Sequence, residues 1–231
     1  MGHPGSAVPA HSASIRSERA EAADGLRVGG VTPLTTVDYP GELAAAVFCQ
    51  GCPWRCRYCH NGHLLPARTA ESIRWAEVRT LLESRQGLLD AVVFSGGEPT
   101  LQRALAPAMR EVRALGFKVG LHTAGIYPQR LRRLLPLLDW VGLDIKALPA
   151  DYPEITGIQG SGARAWESLG LLLSAQVPLQ VRTTALPGRD RPEDLWPLTA
   201  RLAGMGVREH RVQPCRTARM LDPSLVANPA H

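Results

Sequence analysis

The sequence predicts an α/β fold built on a parallel sheet. Three observations carry that prediction. Short apolar runs recur at 43–48, 91–94, 118–122, 140–144, 179–184 and 207–213, each within the length range of a buried strand. Helical patterns separate them, near 72–86, 101–115, 128–136, 163–175 and 192–204, which is the rhythm of repeated βα units. Finally, residues able to do chemistry gather at the C-terminal ends of the apolar runs, where parallel βα folds place their sites. Six such units fall short of the eight that close a standard barrel.

Each element has its own signal. The strand at 43–48 reads LAAAVF and runs directly into a cysteine-rich loop. Ser72 and Glu77 lie near the start of the first helix, and Gly87 stands where it should stop. The strand at 91–94 reads AVVF; the helix after it should end at Gly116. The runs at 118–122 and 140–144 flank the helix at 128–136. Pro187 and Gly188 mark a turn after the fifth strand, before the helix at 192–204 and the last strand. Residues 1–27 are rich in Ala, Ser, Gly, Pro and His without apolar periodicity, so they are expected to be a disordered tail. The folded domain is expected to span 28–231, with no internal repeat and no dividing linker.

The bulk properties narrow the function. A chain of 231 residues suits one domain with a sizeable core. No run approaches the roughly 18 apolar residues of a membrane span, and the N-terminus lacks a secretory pattern. Five cysteines, four of them between 49 and 59, resemble a metal loop in a reducing compartment more than a disulfide framework. The expected location is the cytoplasm. The net charge of +5 comes from a strong arginine bias: of 26 basic residues, Lys118 and Lys146 are the only lysines. Outside the cysteine loop no aromatics interleave with the basic residues, which argues against a nucleic-acid surface. Arg110, Arg113, Arg130, Arg132 and Arg133 are expected on solvated helix faces. A basic face of this kind also suits an acidic protein partner.

The most informative segment is CQGCPWRCRYCHN, in which Cys52, Cys56 and Cys59 are spaced C-x3-C-x2-C. Three thiolates leave one iron of a cubane cluster without a protein ligand, and an open metal position is where chemistry happens. The competing reading is structural zinc. It would need Cys49 as a fourth ligand, with all four inside eleven residues at the end of a strand that should hold Cys49 in the core. Cys49 is therefore read as a buried core residue, and Cys215 as structural or incidental. Downstream motifs follow in order: SGGEPTL at 95–101, LHTAG at 121–125, LDIKA at 143–147, YPEITG at 152–157 and VRTTALPG at 181–188. Two glycines in SGGEP permit close backbone approach, and Glu98 offers an anion. Lys146, in a chain that otherwise prefers arginine, points to a task for a compact ammonium.

With its motifs in this order, the chain resembles the radical S-adenosylmethionine (radical SAM) superfamily. Within that superfamily it most resembles the activating proteins of anaerobic ribonucleotide reductases and other glycyl radical enzymes. The resemblance runs from residue 31 to 188. It implies an incomplete (β/α)6 barrel of the radical SAM type. Cys52, Cys56 and Cys59 would hold one 4Fe–4S cluster, with S-adenosylmethionine as the second cofactor. Tyr58 would pack by the adenine, Gly96, Gly97 and Glu98 would bind the methionyl amine, and Lys146 would meet the carboxylate with Asp144 organising the pocket. Arg182 and Thr184 would point towards the cavity. His60 and Asn61 would hydrogen-bond within the cluster loop. His122 departs from the family, where an aspartate is common, so any cation held there would be altered or lost; His122 is read either as a packed strand-end residue or as a cofactor contact.

The implied activity is reductive cleavage of S-adenosylmethionine to a 5′-deoxyadenosyl radical, which installs a glycyl radical on a partner enzyme. An anaerobic ribonucleoside-triphosphate reductase is the favoured partner, with flavodoxin or ferredoxin as low-potential electron donor. With few residues left over for a lid, the partner's loop is expected to reach into the open side of the barrel. The alternatives are a radical SAM enzyme acting on a small molecule, as a deazaguanine synthase does, a zinc-stabilised module without catalysis, and, on the charge alone, an enzyme modifying nucleic acid.

Overall fold

The computed structural model describes residues 23–186 and 189–227. They form one sheet of strands β1 (Val28–Thr35), β2 (Ala44–Cys49), β3 (Ala91–Gly96), β4 (Lys118–Thr123), β5 (Trp140–Asp144), β6 (Leu179–Ala185) and β7 (His210–Pro214). The spatial order follows the chain from β1 to β7. β2 to β7 pair in parallel, while β1 runs antiparallel to β2. Among the described residues no ladder joins β7 back to β1, so the barrel is incomplete. Its helices are α1 (Trp75–Glu83), α2 (Leu105–Ala114), α3 (Pro128–Leu134), α4 (Tyr152–Thr156), α5 (Ser161–Ala175), α6 (Pro192–Gly204) and α7 (Ser224–Ala227). No helix among the described residues is long and apolar enough to cross a membrane.

The period-two alternation of the strands divides the sheet into two chemically different faces. One face sends Val47, Phe94, Leu121, Leu143 and Val181 into a core shared with Leu82 of α1, Met109 of α2, Leu131 of α3 and Leu169 of α5. The other face is apolar only at its lower end. There Ala44, Ala91, Val93 and Trp140 pack with Tyr39 of the β1–β2 loop, whose ring stacks on Trp140 at 5.1 Å. Towards the C-terminal strand ends the same face becomes Ser95, His122, Asp144, Arg182 and Thr184, which line a cavity of about 770 Å³.

The structure departs from the sequence reading in several places. β1 was not among the expected strands: its sequence, VGGVTPLT, has two glycines and a proline and mixed burial. Such residues fit an irregular edge strand, and its ladder is indeed broken by two register shifts. Val207 belongs to no strand. After the left-handed Gly206 (φ +88°), its amide donates to the Leu202 carbonyl (3.1 Å) and closes α6. No helix was among those expected at 152–157, where YPEITG is largely helical as α4. The boundary of the tail also moves: Ala23 and Leu26 are fully buried in the core, and Arg27 exchanges backbone hydrogen bonds with the Gln102 amide. Residues 1–22, like the expected turn at Pro187 and Gly188, lie outside the described residues. Arg130 is not on a solvated face either; it donates to the Thr100 and Leu101 carbonyls.

Candidate active site

The cysteine loop leaves the end of β2 and is fixed at its root by backbone. Gly51 N–H donates to the Leu64 carbonyl (2.7 Å) and Cys52 N–H to Leu65 (3.1 Å). The Gln50 amide donates to the His63 and Pro66 carbonyls. The far side of the loop rests on α4, where Arg55 and Arg57 N–H groups donate to Thr156 and Ile155 carbonyls. Cys52, Cys56 and Cys59 are half-buried and line the cavity together with His60 and Asn61. Asn61 takes part through its carbonyl, which accepts from Leu64 N–H (2.9 Å). Cys49 is fully buried in the core, as expected. Among the described residues no three His, Cys, Asp or Glu side chains converge on one point as the ligands of a single ion do.

The loop has features that suit a sulfur-rich cluster. Burial pushes the Cys52 thiol up to about 12 and raises Cys56 as well, so both thiols are neutral until a metal displaces their protons. Trp54, between the first two cysteines, is 1% exposed and lines the same cavity. Its indole N–H is buried with no acceptor. An orphaned buried donor costs about 1–3 kcal/mol, and an inorganic sulfide or thiolate sulfur would relieve it. The donor set and this unpaired N–H therefore fit an iron–sulfur group.

SGGEP continues from β3 and is stitched to the cysteine loop. Gly97 N–H donates to the Cys49 carbonyl and Glu98 N–H to Gly51, each at 2.9 Å. Gly96 adopts φ +103°, and a Cβ there would fall 2.6 Å from Cys49 N. A Cβ on Gly97 would collide with the Gly51 carbonyl. Both glycines line the cavity, but what compels glycine is this close approach of two backbones.

Glu98 does not reach the cavity. It is fully buried, and its carboxylate accepts from Thr100 N–H (3.1 Å), Thr100 Oγ1 (2.5 Å), Thr123 Oγ1 (2.7 Å) and Ala124 N–H (3.0 Å). Burial raises its pKa against these bonds. The expectation that Glu98 faces an ammonium is corrected: four internal donors turn the carboxylate towards the ends of β3 and β4.

Asp144, Lys146, Arg182 and His122 come together across the ends of β4, β5 and β6. Register puts Asp144 beside Arg182. Arg182 donates through Nε (3.2 Å) and Nη2 (3.0 Å) to Asp144 Oδ1, while Lys146 Nζ stands 3.6 Å from Oδ2. Burial would raise the Asp144 carboxyl, but Arg182 and then Lys146 outweigh it and hold it below the ordinary carboxylate range. Burial likewise opposes the charge on Lys146, yet Tyr58, Cys56 and Asp144 hold its pKa well above the ordinary lysine value. Of these three only Asp144 is charged at neutral pH. Lys146 Nζ also lies 5.4 Å from the centre of the Tyr58 ring, which is buried on the cavity wall. Thr184 lines the cavity beyond Arg182.

His122 is both packed and facing the cavity. Nε2 lies 2.8 Å from the Asp38 carbonyl, Nδ1 3.3 Å from Ser95 Oγ, and the ring meets Trp140 edge-on. Burial and the neighbouring Arg182 lower its pKa to about 4. The neutral ring donates through Nε2–H to Asp38 and accepts from Ser95. Where an aspartate would add a charge, this chain has a neutral ring beside an arginine. Sequence reasoning did not pick out Trp54, Ser95 or Asp38. It also dismissed Cys215, which lines the cavity. A polar residue in phase with His122 and Asp144 was the one signal available for Ser95.

This arrangement agrees with comparisons to known proteins. The model of the Radical SAM superfamily matches residues 46–198. The chain belongs to the radical SAM superfamily. It is 32% identical over 176 residues to a protein of Methanocaldococcus jannaschii named as a glycyl-radical enzyme activating enzyme, covering 73% of this chain and 72% of that one. A pyruvate formate-lyase-activating enzyme of Listeria monocytogenes is 31% identical, with 73% of each chain covered. Among solved structures, S-adenosylmethionine-bound SuiB of Streptococcus suis superposes with a TM-score of 0.60 at 14% identity, over 74% of this chain and 40% of that one. QueE of Escherichia coli gives 0.52 at 15% identity, over 85% and 98%.

These superpositions show that the radical SAM fold is shared. The match at 46–198 starts inside β2 and ends inside α6, so it contains the cysteine loop, SGGEP, His122, the Asp144–Lys146 pair and Arg182. β7 and the residues after it, which complete the cavity wall with Gln213, Pro214 and Cys215, lie beyond that match. This radical SAM chain is an enzyme whose relatives are named as activating enzymes.

Proposed function

We propose that this radical SAM enzyme installs a glycyl radical on a partner protein, with an anaerobic ribonucleoside-triphosphate reductase as the favoured partner. The reading rests on one observation. The three loop cysteines, the Gly96–Gly97 backbone, Tyr58 and the Asp144–Lys146 pair all line one cavity. Cys52, Cys56 and Cys59 would hold a 4Fe–4S cluster and leave one iron for the amino and carboxylate groups of S-adenosylmethionine. When bound, the cluster and cofactor supply a low-potential electron and a carbon radical able to take hydrogen from a glycine Cα.

The chain's own residues position and shield. Lys146, protonated and half-neutralised by Asp144, presents an ammonium to a carboxylate. Asp144, held ionised by Arg182 at Oδ1, turns Oδ2 to Lys146 and orients it without taking its proton. With Glu98 turned inward, the amine is left to backbone oxygens of the SGGEP turn. Tyr58 offers a flat apolar wall for a base, and Trp54 excludes water from the cysteines. Arg182, Thr184 and the neutral His122 line the remaining cofactor side. A basic surface suits an acidic low-potential donor such as flavodoxin or ferredoxin, and the cytoplasm is the compartment proposed for all three partners.

Anaerobic iron–sulfur reconstitution followed by EPR tests this. The expected result is a reduced 4Fe–4S signal whose g-values shift on adding S-adenosylmethionine, and a persistent glycyl radical doublet once the partner is supplied. A zinc protein with no cluster would overturn the proposal. A second reading has one finding in its favour: a 7-carboxy-7-deazaguanine synthase of Thermococcus kodakarensis is 29% identical over 54% of this chain and 56% of that one. It expects turnover of a small molecule and no lasting radical on protein.

A further inference from the structure

The two ends of the cysteine loop are held differently. Cys52 sits at the root, fixed by neighbours close in sequence and by β3. The segment from Cys56 to Cys59 lies between α4 on one side and, on the other, a stretch from much later in the chain. Leu221 N–H donates to the Cys59 carbonyl (3.1 Å), and Asp222 N–H to the Arg57 carbonyl (2.9 Å). Arg57 Nε returns a hydrogen bond to Asp222 Oδ2 at 2.8 Å. Met220 is buried against Tyr58, Ile155 and Leu186. Asp222 is itself set by Ser224, whose N–H (3.0 Å) and hydroxyl (2.5 Å) donate to Oδ1. Arg57 is thus held by α4 at its N–H, by Asp222 at its carbonyl and guanidinium, and more loosely by Glu154 of α4, 3.9 Å from the guanidinium.

We propose that Arg57 and Asp222 are positioning residues for the cluster, locking the backbone that carries Cys56 and Cys59. The inference rests on the cluster reading above. No side chain of the pair needs to touch iron. The pair fixes the backbone before Tyr58, Leu221 beside Asp222 fixes it after Tyr58 at the Cys59 carbonyl, and a ligand tripod is only as well placed as its least constrained leg. By linkage, whatever the tether contributes to holding the cluster, the cluster returns to the tether. Iron loading should therefore slow exchange of the two amides that make the tether.

The test uses the full chain, reconstituted anaerobically, as wild type, Asp222→Ala, Arg57→Ala and the charge-swapped double variant Arg57→Asp/Asp222→Arg. Iron release to a chelator is followed by loss of cluster absorbance, and hydrogen exchange is read at the Leu221 and Asp222 amides with and without iron. Release at least five-fold faster in each single variant is expected, with most of the loss restored in the swap. Exchange at both amides should slow on loading in the wild type and not in the single variants. The swap separates positioning from general damage, because only a specific pairing is restored by reversing both charges. Loaded single variants that release iron at the wild-type rate would overturn the tether alone. A wild-type chain that takes up no iron would overturn both this inference and the cluster reading.

Discussion

β3 and β7 stand at opposite fates within one sheet. β3 has neighbours on both edges and four fully buried residues, Ala91 to Phe94. Among the described residues β7 pairs only along β6, and it has no buried residue. Val212 is 48% exposed, and Trp196 of α6 nearby in sequence is 71% exposed. The first region has the rigidity needed to place a cofactor to within fractions of an ångström. The second forms its wall of the cavity from exposed residues, which suits an enzyme whose proposed substrate is another protein. Stability and access are divided between the two ends of the sheet.

That division can be broken from the sealed side. Gly96→Ala should have the largest effect. With a Cβ forced against the Cys49 backbone at positive φ, a loss on the order of 4 kcal/mol or more is expected, read as loss of soluble protein or collapse of the denaturant midpoint. Glu98→Ala comes next. It strands the Thr100 and Thr123 hydroxyls and two amides, for about 3–4 kcal/mol, measurable as a lowered midpoint even without iron. A variant as stable as wild type would show that the carboxylate is not structural after all.

Acid gives the third effect. His122 stays neutral in the fold down to about 4, whereas an unfolded histidine gains its proton near 6.5. Between those values the unfolded chain binds more protons, so stability rises with pH and is lost as pH falls through the window. The full span is worth about 3 kcal/mol. Denaturant midpoints from pH 7 to 4 should lose this part of their slope in His122→Gln. The smallest effect sharpens the comparison from the open side: Trp196→Ser should change stability by less than about 0.5 kcal/mol. A loss of several kcal/mol there would mean that the β7 end is no more open than the β3 end.

Much of this was legible in the sequence because its signals are local. The six parallel strands, the last with its start shifted from 207 to His210, and the helices between them announce themselves by period and by glycine stops. The site at the strand ends follows from order along the chain: Cys52, Cys56, Cys59, Tyr58, Gly96, Gly97, His122, Asp144, Lys146, Arg182 and Thr184 all line the cavity. What stayed hidden is non-local. A glutamate after two glycines gives no sign that four donors from two strand ends will turn it inward. Nothing near Trp54 says that its indole will lack an acceptor. β1 is a strand because β2 offers it an edge, against the preferences of its own glycines and proline. Arg57 and Asp222 are unremarkable charged residues until the fold brings them together.

The tether also sets an order of events in synthesis. Arg57 and Asp222 are 165 residues apart in the chain, so at ordinary elongation rates Asp222 appears on the order of ten seconds or more after Arg57. The sheet can meanwhile assemble strand by strand, since every parallel ladder joins consecutive strands. The cysteines are made early in the domain, yet contacts that shape their loop come from Leu221 and Asp222, made after every strand of the sheet. The cysteine loop is begun early and finished late, so its completed form reports that the rest of the sheet is already in place.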